Sequence, residues 1–188
     1  SDPRLTAQGQ IDFRIKRQLS CYSKQDPPPD RVKPIPLSII RHVLGAALLA
    51  NSVAGPAVAD MTSLAFFFLL RPGEYTGANS DTKPFRFCDV QLFIGPVRLD
   101  LSTASRQSIL SATFGSLTFT EQKNGVRGEV IGLSRSGDPH FCPVLCLARR
   151  VLHLRDFHAP HNTPLASFFF HQCWTRIAPA DITDTLRV

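Results

Sequence analysis

Hydrophobic positions change period twice along this chain. Across 39–51, Ile40, Val43, Leu44, Ala47 and Leu48 recur at the spacing of one helical face. Gly55-Pro56 then opens a second helical run through Val58, Met61, Leu64, Ala65 and Phe68 to Arg71. Between Phe85 and Leu133 the period shortens. Residues 86–94 alternate in part, stop at Gly95-Pro96 and resume over 97–101, which predicts a hairpin. Residues 116–120 and 128–133 flank Gln122-Lys123-Asn124-Gly125-Val126-Arg127, and an Asn-Gly step between β-rich runs predicts a second hairpin. Helical spacing returns over 143–158 with Val144, Leu147, Val151, Leu152 and Leu154. A short strand at 167–170 and a helix from Pro179 or Asp181 close the chain. Helices, a small antiparallel sheet and helices again predict an α+β fold, mainly α.

Ahead of that core, residues 1–23 mix charge with Ile11, Phe13, Ile15 and Leu19, close to one helical face. Pro27-Pro28-Pro29 and Pro34-Ile35-Pro36 then impose an extended connection. We therefore expect an N-terminal helix and Pro-rich linker at 1–33 and a main domain at 34–188. The 188 residues are 43% hydrophobic and 19% charged, a globular composition with enough chain for one sizeable core or two small ones. No apolar run is long enough to span a bilayer, so no membrane partner is expected.

The net charge of +6 and pI near 9.4 suit a polyanion, with nucleic acid first. Basic residues crowd the N-terminal quarter, where Arg31, Lys33 and Arg41 are candidate phosphate contacts together with Arg127 on the second hairpin. Arg149, Arg150 and Arg155 share the later helix and suit the same role, although a solvated helix face reads identically. The five cysteines form an odd set without framework spacing and read as reduced, mostly buried thiols, hence an intracellular protein, nuclear in a eukaryote. Cys142 and Cys146, with His140, His171 and Cys173, could be assembled into a zinc site. Cys142 and Cys146 lie one turn apart at the head of an apolar helix, however, where thiols pack as small hydrophobes, so we assign no metal and no cofactor. Phe168-Phe169-Phe170 and Trp174 read as a core strand in preference to a base-stacking platform.

Two cations carry the candidate chemistry. Arg71 follows the apolar run Phe66-Phe67-Phe68-Leu69-Leu70 and precedes Pro72-Gly73-Glu74, so the chain breaks at Pro-Gly and restarts with an acid. A guanidinium anchored at the end of a core helix presents a rigid fork to a phosphate. The plainer alternative is a solvated helix end with Glu74 as its surface partner. Lys123 sits at the hairpin turn, where an exposed lysine of no special role is the ordinary reading of the residue by itself.

Taken in order, these segments resemble the catalytic domain of the tyrosine recombinases, the phage-integrase-like superfamily, and more closely the integrase-like recombinases of eukaryotic mobile elements. The residues carrying the resemblance are Leu70-Arg71-Pro72-Gly73-Glu74, the Asp89-Val90 pair at the first strand, Lys123 in Thr120-Glu121-Gln122-Lys123-Asn124-Gly125, and the proline-opened helix at Pro143-Val144-Leu145-Cys146-Leu147. The resemblance covers about 34–188, and the first 30 residues would be the tail of a preceding DNA-clamping domain. It implies the DNA breaking-rejoining fold, a helical catalytic core with a small antiparallel sheet.

It also implies a reaction in which a tyrosine attacks a DNA phosphodiester, leaving a 3′-phosphotyrosyl link and a free 5′-hydroxyl. On that reading Arg71 stabilises the charge of the pentacoordinate phosphate. Lys123 protonates the leaving 5′-oxygen, and Glu74 and Asp89 support the site. Duplex DNA is the implied partner, with room for a homo-oligomer on DNA. The family's His-x-x-Arg motif and tyrosine nucleophile have no match here. His153-Leu154-Arg155 has the wrong spacing, Tyr22 precedes the core, and Tyr75 sits almost upon Arg71. The expectation is thus an excised or truncated piece, inactive alone, of a recombinase acting in DNA recombination and integration. A degenerate, non-catalytic DNA-binding or assembly module is the alternative.

Overall fold

The computed structural model describes residues 10–13, 15–18, 20, 36–50, 52–76, 84–120 and 128–186. Two units divide it, Ser1–Ile35 and Pro36–Val188. In the first, the chain turns helical at Phe13, Lys16 N–H donates to Asp12 C=O at 3.0 Å, and Ile11 and Phe13 are exposed.

The second unit holds the core and is α+β with antiparallel sheets. Helix α1 is Leu37–Leu49 and buries Ile40, Val43, Leu44 and Ala47 of the face that the helical spacing predicts, while Leu48, expected on that face, is exposed. Helix α2 is Gly55–Phe68, with Pro56 in its first turn, where a missing N–H costs nothing. It packs between α1 and the long helix α5, so it is buried nearly all round. A short helix α3 at Pro72–Thr76 follows, then a 3-10 turn at Phe87–Asp89.

Strand β1 (Val90–Ile94) turns at Gly95 (φ +54°) into β2 (Val97–Arg98). Helix α4 (Arg106–Leu110) leads into β3 (Phe114–Phe119), which pairs with β4 (Glu129–Ser134). The sheet order is β2-β1-β3-β4, antiparallel throughout. Helix α5 (Pro143–Asp156) lies across this sheet, and Gly115 marks its close approach, because a Cβ there would stand 2.9 Å from Leu147 Cδ1. Strands β5 (Ser167–Phe170) and β6 (Cys173–Arg176) make a separate hairpin, and α6 (Pro179–Leu186) returns to α1 and α2. Leu92, Leu117, Leu147, Val151, Met61 and Leu64 form the centre of the core, each fully buried. No helix among the described residues is long and apolar enough to cross a membrane.

Several sequence expectations change. Helix α2 ends at Phe68 and not at Arg71. Leu69 adopts the left-handed conformation (φ +53°), and Leu70 N–H reaches back to Ala65 C=O at 2.9 Å, a helix stop usually given to glycine. Pro72-Gly73 opens α3 and does not interrupt structure, since proline's fixed φ suits a first helical turn. Among the described residues there are two sheets, not one. Of the aromatic triplet, Phe168 is buried, Phe169 half-buried against Phe157 and Trp174, and Phe170 exposed. Cys142 and Cys146 are buried as small hydrophobes, but Cys88 and Cys173 are exposed.

Candidate functional site

Arg71 is the last residue of the three-residue link between α2 and α3, and its side chain is exposed. The backbone beneath it is held tightly. Buried Glu74 accepts the Arg71 N–H through Oε2 at 2.8 Å, while Glu74 N–H donates to Arg71 C=O at 2.8 Å. This reciprocal pair satisfies a helix start with a carboxylate on the favourable end of the dipole. Phe85 N–H donates to Glu74 C=O at 3.1 Å, and Thr76 Oγ1 donates to Pro72 C=O at 2.7 Å, so the whole turn is fixed. Glu74 therefore serves the Arg71 main chain, and does so as a buried carboxylate, not a surface one. Tyr75 is half-buried beside it, and burial raises its phenol above the ordinary value.

Asp89 closes the 3-10 turn that leads into β1. It is buried, accepts Arg86 N–H at 2.8 Å through Oδ2, and meets the Arg86 guanidinium at 3.3 Å. Its carboxylate is thus used to shape the entry to the sheet. The β3–β4 hairpin exists as predicted, with Phe119 paired to Glu129, but its turn, carrying Lys123 and Arg127, lies outside the described residues. Arg31 and Lys33 lie outside them as well. Arg41 bridges to Asp138 at 3.0 Å with 59% of its side chain exposed, so it faces solvent as an ion pair and not as a lone cation.

The basic face read on α5 is corrected. Arg150 is 2% exposed, and its Nε donates to Leu165 C=O at 3.0 Å and its Nη2 to Ser167 C=O, tying α5 to β5. Burial lowers its pKa to about 10. Arg149 grips Asp60 of α2 through Nε at 2.8 Å and Nη2 at 2.5 Å. Burial pushes the Asp60 carboxyl above its usual range, with Arg149 opposing, and pushes the Cys146 thiol, 3.2 Å from Arg149 Nη2, up to about 12. Arg155 donates to Ala104 C=O, Arg135 to Ala112 and Leu110 C=O, and Arg106 pairs with Asp156 at 2.8 Å. Much of the arginine content thus holds the fold together and leaves the phosphate-contact inventory smaller than the sequence suggests.

His153 also has a structural job. Its Nε2 accepts Phe169 N–H at 3.2 Å, with Phe157 and Trp174 rings around it, so it fastens the β5–β6 hairpin to α5. Burial, with Arg150 adding to it, holds its pKa down to about 4 from 6.5. A depressed histidine favours the unfolded state once that state protonates. Stability should therefore fall as the pH drops from about 6.5 towards 4. Urea unfolding across that interval should show a falling midpoint for the native chain and a flatter profile for His153→Gln. Equal slopes would refute the assignment.

Among the described residues, no group of three or more His, Cys, Asp or Glu side chains could hold a metal ion. Comparison with protein-family models, curated proteins and solved structures finds no match, which neither supports nor opposes the recombinase resemblance.

Proposed function

We propose that this chain is the DNA-binding portion of a tyrosine-recombinase-like protein that acts in DNA recombination and integration. The observation that carries the reading is the Arg71 turn. An exposed guanidinium stands directly beyond a buried core helix, on a backbone locked by the buried Glu74 carboxylate. A preorganised guanidinium can stabilise a phosphorane without reorganising when charge develops. The order of parts supports the same reading: Asp89-Val90 enters the first strand, a hairpin turn carries Lys123, and Pro143 opens the helix beyond. The tyrosine, a second arginine and a further proton donor would have to come from outside this chain. Arg71 would hold the non-bridging oxygens, and Lys123, reaching from the hairpin, would protonate the leaving 5′-oxygen.

Binding to duplex DNA tests the reading without requiring cleavage. Affinity should fall with salt, each phosphate contact contributing about −0.9 to the slope of log K against log salt. Because Arg135, Arg149, Arg150 and Arg155 are engaged internally, the slope should correspond to fewer contacts than the basic composition suggests. Arg71→Ala should lower the slope by about one unit. Absence of binding at low salt would overturn the proposal.

A further inference from the structure

We propose that the groove beside the β1–β2 edge of the sheet binds a single nucleotide unit, its base stacked on His161 and its phosphate on Arg98. This goes beyond strand exchange at Arg71 and does not depend on it. The groove has a volume of about 450 Å³, within the range of small-ligand sites. Its apolar lining includes Phe87, Leu99 and Leu101, and its polar groups include Arg98, Asp100 and His161.

The platform is already assembled. His161 lies nearly parallel to the buried Phe87 ring, with centroids 5.6 Å apart and planes at 18°, and remains exposed. Its segment is pinned by Cys88 N–H to His161 C=O at 3.0 Å and Phe87 N–H to Thr163 C=O at 2.9 Å. A flat ring backed by a second ring is suited to stacking a base, whatever its sequence.

Arg98 supplies the anion contact. It stands on the edge strand β2, is exposed, and makes no side-chain hydrogen bond or ion pair with a described residue. Arg41 and Arg106, also exposed, are paired, whereas Arg176 on β6 is exposed like Arg98 but does not line this groove. Asp100 narrows the ligand class. Its carboxylate accepts Ser102 N–H at 3.0 Å, Ser102 O–H at 2.5 Å and Thr103 O–H at 2.9 Å, and these bonds, those from Ser102 first, hold its pKa below the usual value. An ionised carboxylate facing the same space disfavours a ligand that is anionic throughout. It suits one that joins a phosphate to a donor-bearing ring or sugar, as a nucleotide does.

The test is calorimetric titration of the intact chain with adenosine monophosphate and, separately, with a short single-stranded deoxyoligonucleotide. Saturable binding is expected, weakened about tenfold by Arg98→Ala and by His161→Ala and largely kept by His161→Phe. Glu129→Gln, on the opposite sheet edge, should bind as the native chain does. Adenosine without phosphate should bind as weakly to the native chain as the monophosphate does to Arg98→Ala. Tighter binding of the oligonucleotide, dependent on both residues, would make a nucleic-acid strand the source; binding of the monophosphate alone would make it a free nucleotide. No saturable binding of either, or binding indifferent to both substitutions, would overturn the proposal. The monophosphate has no phosphodiester to cut, so such a failure leaves the reading of Arg71 untouched.

Discussion

Arg71→Ala is expected to abolish DNA strand cleavage when the chain is extended to supply a His-x-x-Arg motif and a tyrosine. The loss should be about a hundredfold to a thousandfold at least, the scale of removing one preorganised group that stabilises developing charge. Its fold should survive, because the turn is held by main-chain and Glu74 carboxylate bonds that an alanine retains. Arg71→Lys should recover little, since an ammonium is a point charge and cannot offer the two parallel N–H groups of a guanidinium. Thermal melting alongside a cleavage assay on nicked duplex would separate the two effects. A large loss of stability with proportionate loss of cleavage would assign Arg71 to structure instead.

Arg149→Met is the substitution expected to damage stability most. Asp60 lies buried in α2 with its carboxylate gripped twice by Arg149 of α5, and it is the electrostatic bond between the two central helices. Removing the guanidinium strands a carboxylate in the core, at a cost of about 3–5 kcal/mol. Asp60→Asn should cost less, because 40% of the Arg149 side chain is exposed and the orphaned cation can turn to water. The double variant should therefore be more stable than Arg149→Met alone, a coupling that a double-mutant cycle measures directly.

pH sharpens the prediction. The Asp60 carboxyl already has its pKa raised by burial, so the folded state holds its proton where the unfolded state has lost it. Stability from that source is present at low pH and declines as pH rises above about 3.8, the ordinary value. Without Arg149 the pKa rises further, and Arg149→Met should be less damaging at pH 5 than at pH 8. Denaturant midpoints at the two pH values decide this, and a pH-independent loss would contradict it. Because α2 delivers the Arg71 turn, this interhelical bond also fixes where the proposed phosphate contact stands.

Elements set by local pattern were legible in the sequence. The faces of α1 and α5 follow helical spacing, the Gly95-Pro96 and Asn-Gly signals mark the two hairpins of the main sheet, and Pro143 marks the start of α5. What escaped notice lacks a local signal. The β5–β6 turn uses His171 and Gln172 at positive φ, residues that seldom signal a hairpin, so β6 was not expected. Helix α4 is too short to show a period. The left-handed stop at Leu69 replaces the glycine that would have announced it.

The candidate site was legible only in part. Glu74 was identifiable as an aid to the Arg71 turn because the two lie within one short segment. The fate of Arg149 and Arg150 was not, since their partners are Asp60, Leu165 and Ser167, far along the chain, and charge on a helix looks the same whether it faces water or a buried acid. His161 and Arg98 were missed for the same reason: the groove that joins them exists only after the loop at 160–164 folds against Phe87.

The most direct test of the central claim uses the extended, cleavage-competent chain on DNA with a 5′-phosphorothiolate at the scissile position. A sulfur leaving group departs without needing a proton, so it bypasses a general acid but not a group that stabilises the phosphorane. Lys123→Ala should regain most of its lost rate on this substrate, while Arg71→Ala should remain as impaired as on ordinary DNA. Parent-like cleavage by both variants on ordinary DNA, or equal rescue of both by sulfur, would contradict the roles assigned to Arg71 and Lys123.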